Sequence, residues 1–463
     1  MFCCSSSFNL LSVLLFFLSI LSINGLQTKN QPLQPDRMVP SEAETLFKIM
    51  DSMSSDQNWR SSHPNPCSPS SSWFGIECKP GPDGFLHVSR LDFGTAPNPT
   101  CRPTATFPYL VFSLPYIQSA FFFNCFTHTR TSLSVSSFRL VNSSLQQLSL
   151  RANPALVGPI PPQISFLRFL EVLTLSQNGL SGLIPQQLFT LTSLIHLDLS
   201  YNKLTGFIPN QVGSLRSLVG LDLSYNSLSG PIPSAIGQLG KLQKLDLSSN
   251  LIFGIIPSSI ERLSSLVFIA LSSNRLTGKL PIGIVKLQTL QYFIMENNPM
   301  HISLPSEFGL LAKLQELRLA NCGFTGTIPP SFTQLANLST LSLQNNLLVG
   351  EIPAGFGALS HIYHLNLSRN QLSGIVPFNS SFLRRLGKNL DLSQNSALCL
   401  SPGEAYSVKV GVSVCRTGRN GSLIVPLKSC QAGHRLHSSL HLLPPLLLLS
   451  HLSSMIIMFF VFL

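Results

Sequence analysis

Leu194-Ile-His-Leu197-Asp-Leu199-Ser-Tyr-Asn202, Leu218-Val-Gly-Leu221-Asp-Leu223-Ser-Tyr-Asn226 and Leu242-Gln-Lys-Leu245-Asp-Leu247-Ser-Ser-Asn250 are three copies of one phrase. After each come a Leu, a Gly and an Ile-Pro pair, as in Leu204-Thr-Gly206-Phe-Ile208-Pro209, and then a short apolar segment. The first leucines of successive copies fall at 145, 170, 194, 218, 242, 266, 290, 314, 338 and 362, a spacing of 24 after one step of 25. Chance does not hold a register for that long. The copies from Leu145 to Asn370 make up about half of the 463 residues.

Within Leu-x-x-Leu-x-Leu the last two leucines sit at strand spacing and point inward, while the residues between them face solvent. One copy buries too little apolar surface to offset the entropy of ordering its chain, so the copies must stack. The closing asparagines (Asn153, Asn178, Asn202, Asn226, Asn250, Asn274, Asn298, Asn346 and Asn370) should turn inward and bond the adjoining backbone, because an unmet buried amide costs about 1–3 kcal/mol. That reading makes the column structural. The phrase is the leucine-rich-repeat pattern, and its Gly-x-Ile-Pro insertion resembles the plant extracellular subtype. The expected fold is therefore α/β: a leucine-rich-repeat solenoid of 24-residue period, with disulfide caps at both ends.

The length exceeds that of one ordinary domain, but a solenoid grows by adding units that touch only their neighbours. Charged residues are 11 % of the chain and the net charge is +11. Residues 1–25 read as a secretory signal, with an apolar core from Leu10 to Leu21 and small residues from Ser22 to Gly25. No Lys or Arg precedes that core, and the alternative is an N-terminal anchor, for which the run is short. Cys3 and Cys4 would leave with the signal.

Residues 26–93 form the expected N-terminal helix and cysteine cap. Ser41-Glu-Ala-Glu44 has capping-box spacing ahead of Leu46, Phe47 and Met50, which predicts a short helix to about Ser52. Asn58-Trp59 follows, and then Cys67 and Cys78 bracket Trp73-Phe-Gly-Ile. This segment resembles the N-terminal cap of plant leucine-rich-repeat ectodomains, which implies that Cys67 and Cys78 pair and close a loop over the first coil. Disulfides agree with secretion; a metal site is disfavoured because no second Cys/His pair has ligand spacing. Residues 94–144 read as a degenerate first repeat with an insertion. Ile117-x-x-Ala120-x-Phe122-x-x-Cys125 fits the phrase with Cys in the Asn place, as does Cys322 after Leu319. Both read as structural thiols, and Cys125 has Cys101 as an alternative partner.

Three runs narrow the resemblance: Leu114-Pro-Tyr-Ile-Gln-Ser-Ala-Phe-Phe-Phe-Asn-Cys-Phe126, Ser144-Leu-Gln-Gln-Leu-Ser-Leu-Arg-Ala-Asn-Pro154, and Phe382-Leu-Arg-Arg-Leu-Gly-Lys-Asn-Leu-Asp-Leu392. Over roughly residues 40 to 430 the chain resembles the plant receptor-like proteins of the TOO MANY MOUTHS-related group. The resemblance implies a kinase-less surface receptor that works beside leucine-rich-repeat receptor kinases in development or defence.

Outward strand positions in residues 145–395 form three columns, mostly the plain Asp-Leu-Ser of the phrase, as at Asp198, Asp222, Asp246, Ser200, Ser224 and Ser248. The departures cluster: Phe268, Tyr292, Ile294, Glu296, Glu316 and Arg318 fall on consecutive strands about 4.8 Å apart. Aromatics with Arg have hot-spot composition, so these six are the candidate partner-binding residues, against local drift on a permissive surface. Met300-His301-Ile302-Ser303-Leu304-Pro305 lacks the Gly expected at 302 and reads as a local deformation. Asn-x-Ser/Thr acceptors stand at Asn142, Asn337, Asn366, Asn379 and Asn420, candidate glycosylation sites in a secreted chain. A sugar on Asn366 would cover the C-terminal part of the concave face and direct partners toward Phe268 and Tyr292.

In residues 396–433, the expected C-terminal cap, Cys399, Cys415 and Cys430 should close the apolar end, with Cys399 and Cys415 the expected pair. Arg384, Arg385, Lys388, Lys409, Arg416, Arg419 and Lys428 gather there, opposed by Asp391 and Glu404, and read as a solvated surface. Residues 434–463 comprise a polar spacer and a hydrophobic tail. The small residues from Ser429 to Gly433, that spacer and the tail fit a GPI lipid-anchor signal, with a single membrane span as the alternative.

No nucleophile elbow, phosphate loop or kinase signature is legible, and Glu296 and Glu316 lie on an open surface unsuited to acid catalysis. The sequence therefore reads as a binding protein without cofactor or metal, on the extracellular face of the plasma membrane, and its compartment excludes nucleic acid. Its expected partners are a secreted peptide or protein ligand and a leucine-rich-repeat receptor kinase. The alternative is a wall protein resembling the polygalacturonase inhibitors, which block pectin-degrading enzymes; the hydrophobic tail argues for the receptor.

Overall fold

The structure is a computed structural model that describes residues 37–70, 72–133, 143–404, 410–417 and 423–425. The signal segment, Asn142, Lys409, Arg419, Asn420, Lys428, Cys430, the Ser429 to Gly433 region and the tail lie outside the described residues. Among the described residues, no helix is long and apolar enough to cross a membrane.

Each copy of the repeated phrase becomes one turn of a coil. Its Leu-x-Leu core forms one short strand per repeat, and these stack in chain order into a sheet of 14 strands, running from Ile76–Pro80 to Leu390–Asp391. All neighbours are parallel except the first pair, Ile76–Pro80 with Leu86–Phe93. Because the period is constant, equivalent residues align without slip: Leu197, Leu221, Leu245, Ile269, Phe293, Leu317, Leu341 and Leu365 face one another across successive strands. Each is at most 1 % exposed. Opposite this sheet, the residues after each Ile-Pro pair make one 3₁₀ turn, such as Asn210–Ser214 after Pro209. Proline suits this boundary since it fixes φ and has no N–H to satisfy.

The asparagine column holds adjacent coils together. Asn250 accepts from the Leu228 N–H at 2.9 Å and donates to the carbonyls of Leu223, Leu247 and Ser248 at 3.0, 3.2 and 3.1 Å. Cys322 takes over part of this bonding in its own coil. Its buried Sγ lies 3.1 Å from Met295 O and 3.3 Å from Ala320 O, and burial pushes its pKa up to about 12. The thiol is thus held as a weak donor. Asn250→Ala leaves the Leu228 N–H unmet, while the three carbonyls keep other donors; at about 1–3 kcal/mol for an unmet buried group, the loss is on the order of 3 kcal/mol. Urea unfolding should show it as a lower midpoint, whereas an unchanged midpoint would remove the column's structural role.

The glycine side of each coil carries a second, lateral set of strands. It divides into a six-stranded sheet ending at Arg275–Leu276 and a five-stranded sheet beginning at Thr325–Gly326. The break falls on Met300 to Pro305, where the repeat lacks its glycine. There His301 adopts φ +49° and only the single bridge Ser303 to Thr325 remains.

Both ends are capped. The helix Pro40–Met53 buries Leu46, Ile49, Met50 and Met53 completely against the first coil. The capping box expected at Ser41 does not form. The helix starts earlier, with Val39 as N-cap and Pro40 as first residue, and Glu44 is drawn outward to Arg60 at 2.6 Å. Cys67 is joined to Cys78, and Trp59 packs on Trp73 with centroids 5.1 Å apart. The alternative left open for Cys125 is the one adopted: it is joined to Cys101. At the other end Cys399 is joined to Cys415, and Asn379 caps the helix Ser380–Leu386 by accepting from the Phe382 N–H at 3.0 Å. Arg385, exposed like the rest of the basic cluster, also has a structural role. Its guanidinium donates to the carbonyls of Leu359, Ser360 and Ile362 at 2.8, 2.7 and 3.0 Å, closing the backbone of the last regular coil.

Candidate concave binding face

Outward residues of the 14-stranded sheet form the concave face. Register brings the six singled-out residues together: Phe268 opposes Tyr292, Tyr292 opposes Glu316, and Ile294 opposes Arg318. All six are half-buried. The rings of Phe268 and Tyr292 lie 6.0 Å apart at 46°, within the range of a favourable aromatic pair. Tyr292 donates its hydroxyl to Gln315 Oε1 at 3.2 Å, and its phenol pKa is raised, first by burial and then by Glu316. Arg318 pairs with Glu316 at 2.9 Å within one strand, and Ser342 donates to Glu296 at 3.0 Å. The result is an aromatic floor beside a set of preformed charged groups.

Asn366 continues the Ile294, Arg318, Ser342 column two strands on, about 10 Å from Arg318. Asn337 and Asn379 are exposed elsewhere.

The Asp-Leu-Ser columns are more than plain filler. Asp198, Asp222 and Asp246 stand in register on adjacent strands. Each accepts from the backbone of the serine two residues on, as Asp198 does from Ser200 N–H at 2.9 Å. Lys244 reaches Asp222 at 2.9 Å and lies 5.9 Å from the Phe268 ring, which links this ladder to the aromatic pair. Burial and the neighbouring Asp222 raise the carboxyl pKa of Asp198 and push that of Asp246 up to about 7. Burial also lowers the His196 pKa, with Lys244 adding to the effect. Beyond the ladder, Tyr201 and Tyr225 stack at 4.1 Å on the rim. The repetition of Asp at one repeat position was the available signal, since a fixed period must stack like charges.

A carboxyl whose folded pKa exceeds its unfolded value of about 4 contributes most below that pH and loses the contribution as pH rises through about 7. Asp246→Asn should therefore flatten the fall in stability between pH 4 and 8. Parallel wild-type and variant urea-midpoint curves across that window would contradict this coupling.

Comparison with known proteins places these features in context. The Leucine rich repeat family matches residues 168–228, 240–300 and 312–372, and the Leucine rich repeat N-terminal domain matches residues 39–79. Receptor like protein 29 of Arabidopsis thaliana is 63 % identical over 167 residues, 36 % of this chain and 36 % of that protein. Protein TOO MANY MOUTHS of the same plant is 37 % identical over 141 residues, 29 % of this chain and 27 % of its own length. The chain thus spans about a third of the length of the curated relatives it matches. Among solved structures, the PEPR1–AtPEP1 complex aligns with a TM-score of 0.68 at 29 % identity, covering 81 % of this chain and 52 % of that one. The ectodomain of the Arabidopsis receptor kinase HAESA, in complex with an extended IDA peptide hormone, aligns with a TM-score of 0.60 at 29 % identity, covering 78 % and 62 %.

Proposed function

We propose, from the premise that this chain belongs to the plant leucine-rich-repeat receptor-like proteins, that it is a cell-surface receptor. It takes a secreted peptide or protein on its concave face and signals through a leucine-rich-repeat receptor kinase in development or defence. The observation that carries the reading is the in-register aromatic and charged patch from Phe268 to Arg318. Peptide complexes of similarly folded receptor ectodomains support it. The two rings favour an apolar side chain of the ligand beside them. Disulfide-closed caps agree with an extracellular setting. Glycans at Asn142, Asn337, Asn366, Asn379 and Asn420, and attachment by a GPI anchor, belong to the same proposal.

A photo-crosslinking residue placed at Ile294 tests the face directly. It should trap a secreted peptide or a receptor-kinase ectodomain, while the same group at the exposed Ile282, on the opposite side of the coil, should not. Trapping from position 282 with none from position 294 would refute the assignment.

A further inference from the structure

Glu296 breaks a rule that the concave face otherwise keeps. The third outward position of the coil is serine in most coils from Ser176 to Ser368, and it carries a charge only at Glu296. The fold's use for that serine is local: Ser200, Ser224 and Ser248 each donate a backbone N–H to the aspartate two residues earlier, at 2.9, 3.1 and 3.0 Å. Glu296 has Ile294 in that place, whose side chain accepts nothing. The carboxylate therefore takes no part in closing its own coil.

The carboxylate is also short of partners. It is half-buried, and among the described residues it receives one hydrogen bond, from Ser342 Oγ at 3.0 Å. That hydroxyl has a single hydrogen and also faces Gln344 Oε1 at 2.6 Å, so two acceptors compete for it, whereas an ionised carboxylate has room for about four donors. Among the described residues no cation pairs with Glu296. Arg318 on the next strand is held by Glu316 at 2.9 Å, and burial together with Arg318 lowers the pKa of His364 and keeps that ring uncharged at neutral pH. Hydrogen bonds from Ser273 N–H to Glu296 O and from Asn297 N–H to Ala320 O, at 2.8 and 2.9 Å, set the short side chains of Ser272 and Ala320 on either side. The Ser272 hydroxyl is itself without a hydrogen-bond partner.

We infer that Glu296 is a cation subsite of the concave face, which takes a lysine or arginine side chain of the bound peptide. The inference rests on the proposed function and names a charge that the ligand must carry. Lysine and arginine bring several N–H donors together with the opposite charge, which a half-buried carboxylate with one contested donor lacks. The aspartate ladder is a poorer place for such a group, because Lys244 already pairs with Asp222 and burial raises the carboxyl pKa of Asp198 and Asp246. Tyr292 lies four residues before Glu296, about 13 Å at about 3.3 Å per residue. An extended ligand with an apolar side chain on the Phe268 and Tyr292 rings therefore carries its basic residue roughly two to four positions away, the lower figure using the length of the basic side chain.

A phage-displayed library of random dodecapeptides, panned on the immobilised chain, should yield peptides with Lys or Arg at a fixed spacing from an apolar residue. For a selected peptide made synthetically, Glu296→Gln should weaken binding by about 10-fold or more, and replacing the peptide's basic residue by norleucine should do the same. Making both changes should cost little more than either alone, as for two groups in contact. Glu351→Gln, at an exposed glutamate of the lateral face, should leave binding unchanged. Thermal unfolding of Glu296→Gln should not move, since glutamine keeps an acceptor for Ser342. Selected peptides that need Phe268 and Tyr292 but lack a basic residue, or that bind Glu296→Gln as well as wild type, would overturn this inference alone. Selection of no peptide, or only of peptides indifferent to both rings, would overturn the proposed face with it.

Discussion

In His87→Ala, hydrogen exchange across the helix Pro40–Met53 should accelerate by about 100- to 3,000-fold, with little change in the middle coils. The wild-type imidazole bridges two carboxylates: Nδ1 lies 2.6 Å from Glu42 Oε2 and Nε2 lies 2.9 Å from Asp83 Oδ1. Glu42 is 5 % exposed and also accepts from the Val88 N–H at 2.9 Å, so the helix and the strand Leu86–Phe93 share one buried charge site. Removing one member of a buried pair typically costs about 3–5 kcal/mol because the other charge is left uncompensated, which gives the stated range at about 1.4 kcal/mol per decade. The effect stays local because each coil contacts only its neighbours. Burial opposes the charge on His87, yet the hydrogen bonds to Asp83 and Glu42 outweigh it and raise the pKa. The bridge is therefore fully present below the ordinary histidine range and is lost as pH rises through the raised value. Wild-type helix protection should fall across that interval, while His87→Ala should show no such fall. Equal protection in the two proteins at pH 5 would contradict the bridge.

The double replacement Phe268→Ala and Tyr292→Ala should weaken partner binding by about 100- to 1,000-fold. Hot-spot truncations cost about 2 kcal/mol or more each and are less than additive when the residues touch, as these rings do at 6.0 Å. The folding cost is smaller, about 0.5–1.5 kcal/mol for the lost ring pair, because both side chains lie on the face rather than in the core. Surface plasmon resonance with the trapped partner separates the two quantities: affinity falls while the melting transition barely moves.

The coil was legible because its determinants recur. Leu197 and Leu221 need only a count of 24 to be set side by side, and the same count puts Phe268 beside Tyr292 and Ile294 beside Arg318. Non-periodic contacts were not legible. The pairing of Glu42 with His87 spans 45 residues outside the repeats, and it is these contacts, with Arg60 claiming Glu44, that displace the expected capping box. Arg385 looked like one member of a basic cluster, since no local pattern reveals that three carbonyls converge on it. The aspartate ladder was present as a column. Its meaning depends on stacking: three carboxylates in register become notable only when the strands are adjacent.

Recruitment of a leucine-rich-repeat receptor kinase through a ligand held on the concave face is tested most directly by affinity purification from plant membranes. Wild type and the Phe268→Ala, Tyr292→Ala protein are processed in parallel and their partners quantified by mass spectrometry. Such kinases should be enriched with the wild type and lost with the variant. Recovery of pectin-degrading enzymes in their place, or equal recovery of the kinases by both proteins, would contradict a receptor that works through this face.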